Sequence, residues 1–171
     1  MERDRLPQYS EQLLKELFYD EIAAPLGVIY LVFRGLSLAG VEFSRPPLRK
    51  KKSPKGVREQ FAAYFNGKLR AFDLKTEFLF GSDFLKNVWH ALKEIPYGET
   101  RSYKWLAEKV GSPDAMRAVG QALKRNPLPL IFPCHRVIEA DGSLGGYSSG
   151  VDIKRRLLDL EYYNSMDEKT K

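Results

Sequence analysis

Residues 100–127 read TRSYKWLAEKVGSPDAMRAVGQALKRNP, and the rest of the chain is best understood outward from them. Ser102 stands where it can cap a helix in which Tyr103, Leu106, Ala107 and Val110 recur at helical spacing, and Gly111 ends that helix. Ser112 can cap a second helix with Pro113 at its first position, closed by Asn126-Pro127. Two helices joined by a short glycine turn make a helix-turn-helix. At roughly 100° per residue the second helix places Ala115, Ala118, Val119 and Ala122 on one face and Arg117, Gln121 and Lys124 on the other. An ordinary helical hairpin with a solvated face shows the same pattern, so the position of the motif in the chain has to decide between the two.

Directly downstream lies IFPCHRVI (131–138), with the only cysteine of the chain, Cys134, beside one of its two histidines, His135. The segment reads as a buried strand or turn, so Cys134 is either a small core residue or a nucleophile. A nearby base or cation favours the reactive thiolate, whereas an apolar pocket leaves a thiol inert. On a strand, neighbouring side chains point to opposite faces, so His135 reaches the sulfur only if the chain turns or a water bridges them. DGSLGGYSSG (141–150) is a glycine-serine loop whose backbone can approach a flat ligand closely. A last helix from Asp152 is expected to turn Ile153, Leu157, Leu158 and Leu160 inward, with Glu161 at its end available to orient a histidine.

Upstream, Tyr9 to about Asp20 reads as a short amphipathic helix through Leu13, Leu14, Leu17 and Phe18. From Leu26 to Phe43 two β-branched and aromatic runs flank Arg34-Gly35, a hairpin signal. The proline-rich, basic stretch 44–56 is expected to be an exposed loop, more simply a solvated one than a phosphate contact. Val57 to Asn66 reads as a helix ended by Gly67, and Ser82 as the cap of another bearing Leu85, Val88, Trp89 and Leu92. His90 flanks that stripe and reads as a surface or partly packed residue rather than a ligand, having no second ligand nearby.

The chain has 171 residues, 43% of them apolar, which supplies a real core and excludes disordered and fibrous classes. One cysteine and two histidines leave no internal disulfide and no tetrahedral zinc set, so no metal or cofactor and a reducing, intracellular compartment are expected. The charged amino terminus and the lack of a long apolar run point to a soluble protein with no membrane partner. A net charge of +6 favours a polyanionic partner without proving one.

Residues 82 to 161 resemble the carboxyl-terminal domain of the O6-alkylguanine-DNA alkyltransferases, through ETRSYKWLA, RAVGQALKRNP, PCHRV and GGYSSG in that order. The amino-terminal hairpin and helix are similar to the family's small α/β domain. The pattern loosens around Phe72 to Phe80, so a boundary is expected there: a small α/β domain over 1–78, a mostly helical, winged-helix-like domain with the helix-turn-helix over 79–165, and a disordered tail over 166–171. The resemblance implies a monomer in the cytoplasm, nucleoid or nucleus that binds the DNA minor groove and flips out an alkylated guanine. The alkyl group then moves, once per protein, from guanine O6, and from thymine O4 as a further substrate, to a cysteine.

Carried over residue by residue, Cys134 is the acceptor, His135 the base acting through a water, and Glu161 the residue that orients it. Asn126 ties the helix-turn-helix to the reactive segment, and Tyr103 serves guanine N3. Arg117 is the finger that fills the duplex, with Ala118, Gln121, Lys124 and Arg136 as further DNA contacts. The backbone carbonyls of Cys134 and Val137 take the exocyclic amine, Ser148 with the amides around Tyr147 and Ser149 meets O6, and Leu123 is an apolar wall. Ser149 stands where the family pattern often has glycine, and Tyr162 where some relatives have it. A lesion binder of the alkyltransferase-like kind lacks the cysteine, a Cys-His-Glu hydrolase has no use for the helix-turn-helix, and a transcription regulator has no use for either the cysteine or its histidine.

Overall fold

The computed structural model of the protein describes residues 9–169, and its backbone groups into two compact units, Met1–Leu79 and Phe80–Lys171. In the first unit a short helix, α1 (Glu11–Glu16), is capped by the Ser10 hydroxyl, which accepts from Leu13 N. The helix expected to reach about Asp20 stops here, because Leu17–Ala24 is strand β1. β1 pairs along its whole length, antiparallel, with β2 (Gly27–Arg34). A helix there would leave that run of backbone donors and acceptors on β2 without partners, so long-range pairing overrides the local apolar spacing.

The expected hairpin is present: β2 turns through Gly35, at φ 58°, into β3 (Ser37–Glu42). The basic loop is not wholly irregular, since Arg49–Lys50 forms β4, parallel to β1, which completes a sheet in the order β3-β2-β1-β4. Helix α2 (Val57–Phe65) buries Val57, Phe61, Tyr64 and Phe65.

Asp20 anchors the loop. Its carboxylate accepts from Ser53 N at 2.9 Å and from Arg58 Nε at 3.0 Å, and it is 2% exposed. Burial pushes this carboxyl up, but the Ser53 amide and the Arg58 guanidinium outweigh it, and its pKa is lowered from 3.8 to about 2. A depressed folded pKa gives stability that is full above the unfolded value and vanishes as pH falls through the folded one. Asp20→Asn is therefore expected to cost about 2 kcal/mol at pH 6. In urea titrations of both proteins the gap should close between about pH 4 and pH 2; a gap independent of pH would show that Asp20 does not act through its charge.

The second unit is mainly helical. It contains α3 (Asp83–Leu92), α4 (Tyr103–Lys109), α5 (Met116–Lys124) and α6 (Val151–Lys169), with a two-residue parallel pair, β5 (Arg101–Ser102) and β6 (Val137–Ile138). Ser82 and Ser102 cap α3 and α4 as expected. Val88, Trp89, Leu106, Val119, Ala122 and Leu157 have no exposed surface and make the core, and Trp89 Nε1 donates to Ala122 O at 2.8 Å, joining α3 to α5. No helix among the described residues is long and apolar enough to cross a membrane.

Two expectations are corrected in this unit. Ser112 does not cap α5: residues Ser112–Ala115 close a turn of their own, with Ala115 N donating to Ser112 O, and Ala115 at φ −92°, ψ 28° leaves the helical basin before α5 begins at Met116. The tail expected from 166 is helical through Lys169. No glycine or proline interrupts 151–169, and the last turns are held by Ser165 Oγ on Glu161 O and by Asn164 Nδ2 on the Tyr97 hydroxyl.

Candidate active site

The segment after α5 is shaped by three prolines, Pro127, Pro129 and Pro133, which cannot donate to a ladder and keep it from joining a sheet. Leu130 takes a left-handed conformation, φ 75°, under a bond from Phe132 N to Leu128 O. Asn126 fastens this bend from inside. Its Nδ2 donates to Phe132 O at 2.7 Å and its Oδ1 accepts from Leu128 N at 3.0 Å, so the end of α5 and the reactive segment share one buried amide.

The chain then turns, as one of the two readings required. Cys134–Arg136 is a single turn of 3₁₀ helix leading into β6, so Cys134 and His135 are not held on opposite faces of a strand. His135 has no exposed surface, and its Nε2 lies 2.7 Å from Glu161 Oε1 on α6. Burial lowers the His135 pKa, more than the Glu161 charge restores it, so the ring is neutral at pH 7. A neutral ring that gives its Nε2 proton to a carboxylate keeps its lone pair on Nδ1, and Nδ1 is buried without a hydrogen bond to the protein. For Glu161, burial pushes the carboxyl up, but His135 and Arg136 hold it below the usual carboxylate range.

Arg136 is corrected here. Expected on DNA, it is 5% exposed; its Nε and Nη2 reach the two Glu161 oxygens at 2.9 Å each, and its Nη1 donates to Ile95 O at 2.7 Å. All of its reach is spent inside, because Glu161, beside a neutral His135, needs a cation to stay ionised in the core.

A pocket of about 460 Å³ opens in front of Cys134. Tyr103, Leu123, Tyr147 and Ser148 form walls, and Arg117, Gln121 and Lys124 project to its rim from the exposed face of α5. Cys134 Sγ lies 4.0 Å from the Tyr147 hydroxyl. Asn126, His135, Arg136 and Glu161 stand behind the sulfur, and none of them lines the pocket. Ala118 and Ser149 are not on the walls either; Ala118 is exposed on α5, outside the packed face on which its spacing placed it. Val137 is fully buried, and its N–H donates to Cys134 O. Tyr103 has its pKa raised, first by burial and then by the charges of Glu139 and Cys134.

Sequence reasoning missed Lys154, which is 1% exposed and extends from α6 to the glycine loop, where its ammonium meets Leu144 O and Gly146 O. Its spacing held the signal: positions 154, 157 and 161 fall on one helical face, and that face is the buried one. Glu139, Met116 and Gly146 also line the pocket and were not anticipated.

Residues 83–163 match the family described as 6-O-methylguanine DNA methyltransferase, DNA binding domain. A methylated-DNA–protein-cysteine methyltransferase of Methanosarcina barkeri is 48% identical over 157 residues, 86% of this chain and 99% of its own. One from Mycolicibacterium paratuberculosis is 44% identical, over 86% of this chain and 93% of its own. Among solved structures, Mycobacterium tuberculosis OGT in complex with DNA superposes with a TM-score of 0.80 at 42% identity, covering 86% of this chain and 94% of that one.

Proposed function

Because the chain belongs to the methylated-DNA–protein-cysteine methyltransferase family, we propose that it repairs DNA by moving the alkyl group of O6-alkylguanine onto Cys134, once per molecule. The observation that carries this reading is a single one: the only sulfhydryl of the chain lines a pocket at the exposed face of α5, with a neutral, carboxylate-oriented histidine behind it. An alkyltransferase-like binder has no use for that sulfur.

The helix-turn-helix of a winged-helix-like unit enters the minor groove as a monomer, with Arg117 filling the space that the flipped nucleotide leaves and Gln121, Lys124 and Ala118 along the backbone. The thiol proton passes through a water to His135 Nδ1, and the imidazolium so formed faces Glu161. Sγ attacks the alkyl carbon, the carbon–oxygen bond breaks, and its electron pair flows into the purine. Tyr103 gives its proton to N3, so guanine leaves neutral; the raised pKa keeps that proton in place until the leaving group needs it. Ser148 and the amides beside Tyr147 and Ser149 receive O6, Leu123 walls the base, and the carbonyls of Cys134 and Val137 accept from the exocyclic amine. O4-alkylthymine presents the same kind of alkyl–oxygen bond, with thymine as its leaving group, and is a second substrate. The setting is the intracellular compartment that holds DNA.

Incubation with a duplex holding one O6-methylguanine, followed by intact mass and peptide mapping, is expected to show a gain of one methyl group, on Cys134. Repaired base without protein methylation would overturn the proposal.

A further inference from the structure

Glu139 is the one acidic side chain on the pocket wall among the described residues. Its backbone is locked: Glu139 N donates to Ser143 O at 2.9 Å and Gly142 N donates to Glu139 O at 3.1 Å, a tight turn that aims the side chain back at the glycine loop. A Cβ built on Gly145 would lie 3.0 Å from Glu139 Oε1 and 3.2 Å from the Tyr103 hydroxyl, so the carboxylate and the phenol flank the same residue. The charges of Glu139 and Cys134 act on the same two neighbours, Tyr103 and Lys154. Glu139 forms no ion pair among the described residues.

The other charges around the pocket are committed elsewhere. The Lys154 ammonium is held by two loop carbonyls, and Glu161 is matched by Arg136 beside a neutral His135. Lys124 stands at the rim on the exposed face of α5, where bound DNA presents phosphates, and Arg117 beside it is the side chain that enters the duplex. The Glu139 carboxylate, exposed and within the field of the Lys154 ammonium, is the one acidic charge that a lesion inside the pocket meets among the described residues.

We propose that Glu139 sets a charge selectivity for the group being transferred: O6 substituents that are cationic are favoured, and anionic ones disfavoured, against neutral ones of similar size. This rests on the alkyl-transfer reading above. Through a partly solvated path, one carboxylate acting on a charged adduct several ångströms away changes a rate by about tenfold, and salt weakens the effect.

The test uses three duplexes whose single modified guanine carries an O6-propyl, O6-(2-aminoethyl) or O6-carboxymethyl group. Single-turnover transfer is measured with the wild-type protein and with Glu139→Gln. Dividing each variant rate by the wild-type rate for the same adduct removes intrinsic reactivity, and dividing again by the propyl value removes any loss of folded protein. The carboxymethyl value is expected near ten and the aminoethyl value below one, both moving toward one at high salt. Three equal values would overturn the charge selectivity while leaving alkyl transfer standing. Failure of the wild-type protein to accept any of the three, or an O6-methylguanine duplex run beside them, would instead overturn the reading on which it rests. Should Glu139→Gln not fold, the wild-type aminoethyl-to-carboxymethyl rate ratio must fall with rising salt, and a ratio that does not change overturns the proposal.

Discussion

Cys134→Ala is expected to abolish transfer completely while retaining binding to a duplex that holds O6-methylguanine. The alanine keeps the 3₁₀ turn, because the turn is closed by backbone bonds and by Asn126 rather than by sulfur. The walls that would receive the base, Tyr103, Leu123, Tyr147 and Ser148, are untouched. Nothing can replace the acceptor, since the chain has no second cysteine. The same chemistry fixes the stoichiometry. An acyl thioester would present a carbonyl for water to attack, but a methyl thioether offers only a poor leaving group, and His135 has no electrophile to work on. Duplex titrated with protein and run to completion should release one repaired guanine per active molecule. Clear turnover beyond one, or residual methylation of the alanine variant, would show that Cys134 is not the terminal acceptor.

Glu161→Gln is the second large effect, with a loss of about 10²- to 10³-fold in the chemical step. The carboxylate accepts the Nε2 proton of His135 and so keeps the lone pair on Nδ1; an amide can donate instead and favour the opposite tautomer. It also removes the charge that stabilises the imidazolium. The change leaves Arg136 as a buried cation without its partner, which typically costs about 3–5 kcal/mol and would blur the reading of activity alone. The double variant Arg136→Met, Glu161→Gln removes that cation. It is expected to melt well above the single variant yet stay as slow in single-turnover transfer from free O6-benzylguanine, where no DNA contact intervenes. If the rate recovered together with the melting temperature, Glu161 would be a structural residue rather than the one that sets the histidine.

Much of this arrangement is legible without coordinates. Helix caps and glycine stops are local chemistry, so α2, α3 and α4 and the hairpin at Gly35 follow from a few neighbouring residues. Ser112 misled because a serine followed by proline suits an isolated turn as well as a helix start, and the choice depends on what packs next to it. The family was readable too, since ETRSYKWLA, RAVGQALKRNP, PCHRV and GGYSSG stand in the family's order.

What the chain alone determined is therefore the set of short-range elements and the family, both encoded in short runs of neighbouring residues. Tertiary structure decided three things that span longer distances. Leu17–Ala24 became a strand because β2 supplied hydrogen-bond partners along its whole length, a pairing that no local apolar pattern reports. Arg136 turned from DNA to the core because Glu161, 25 positions away, arrives beside it on α6 and needs charged donors to remain ionised where it is fully buried. Glu139 entered the pocket because the Ser143 turn folds it back over Gly145. A charge acquires its role from the dielectric and the partners around it, and only the packed chain sets those.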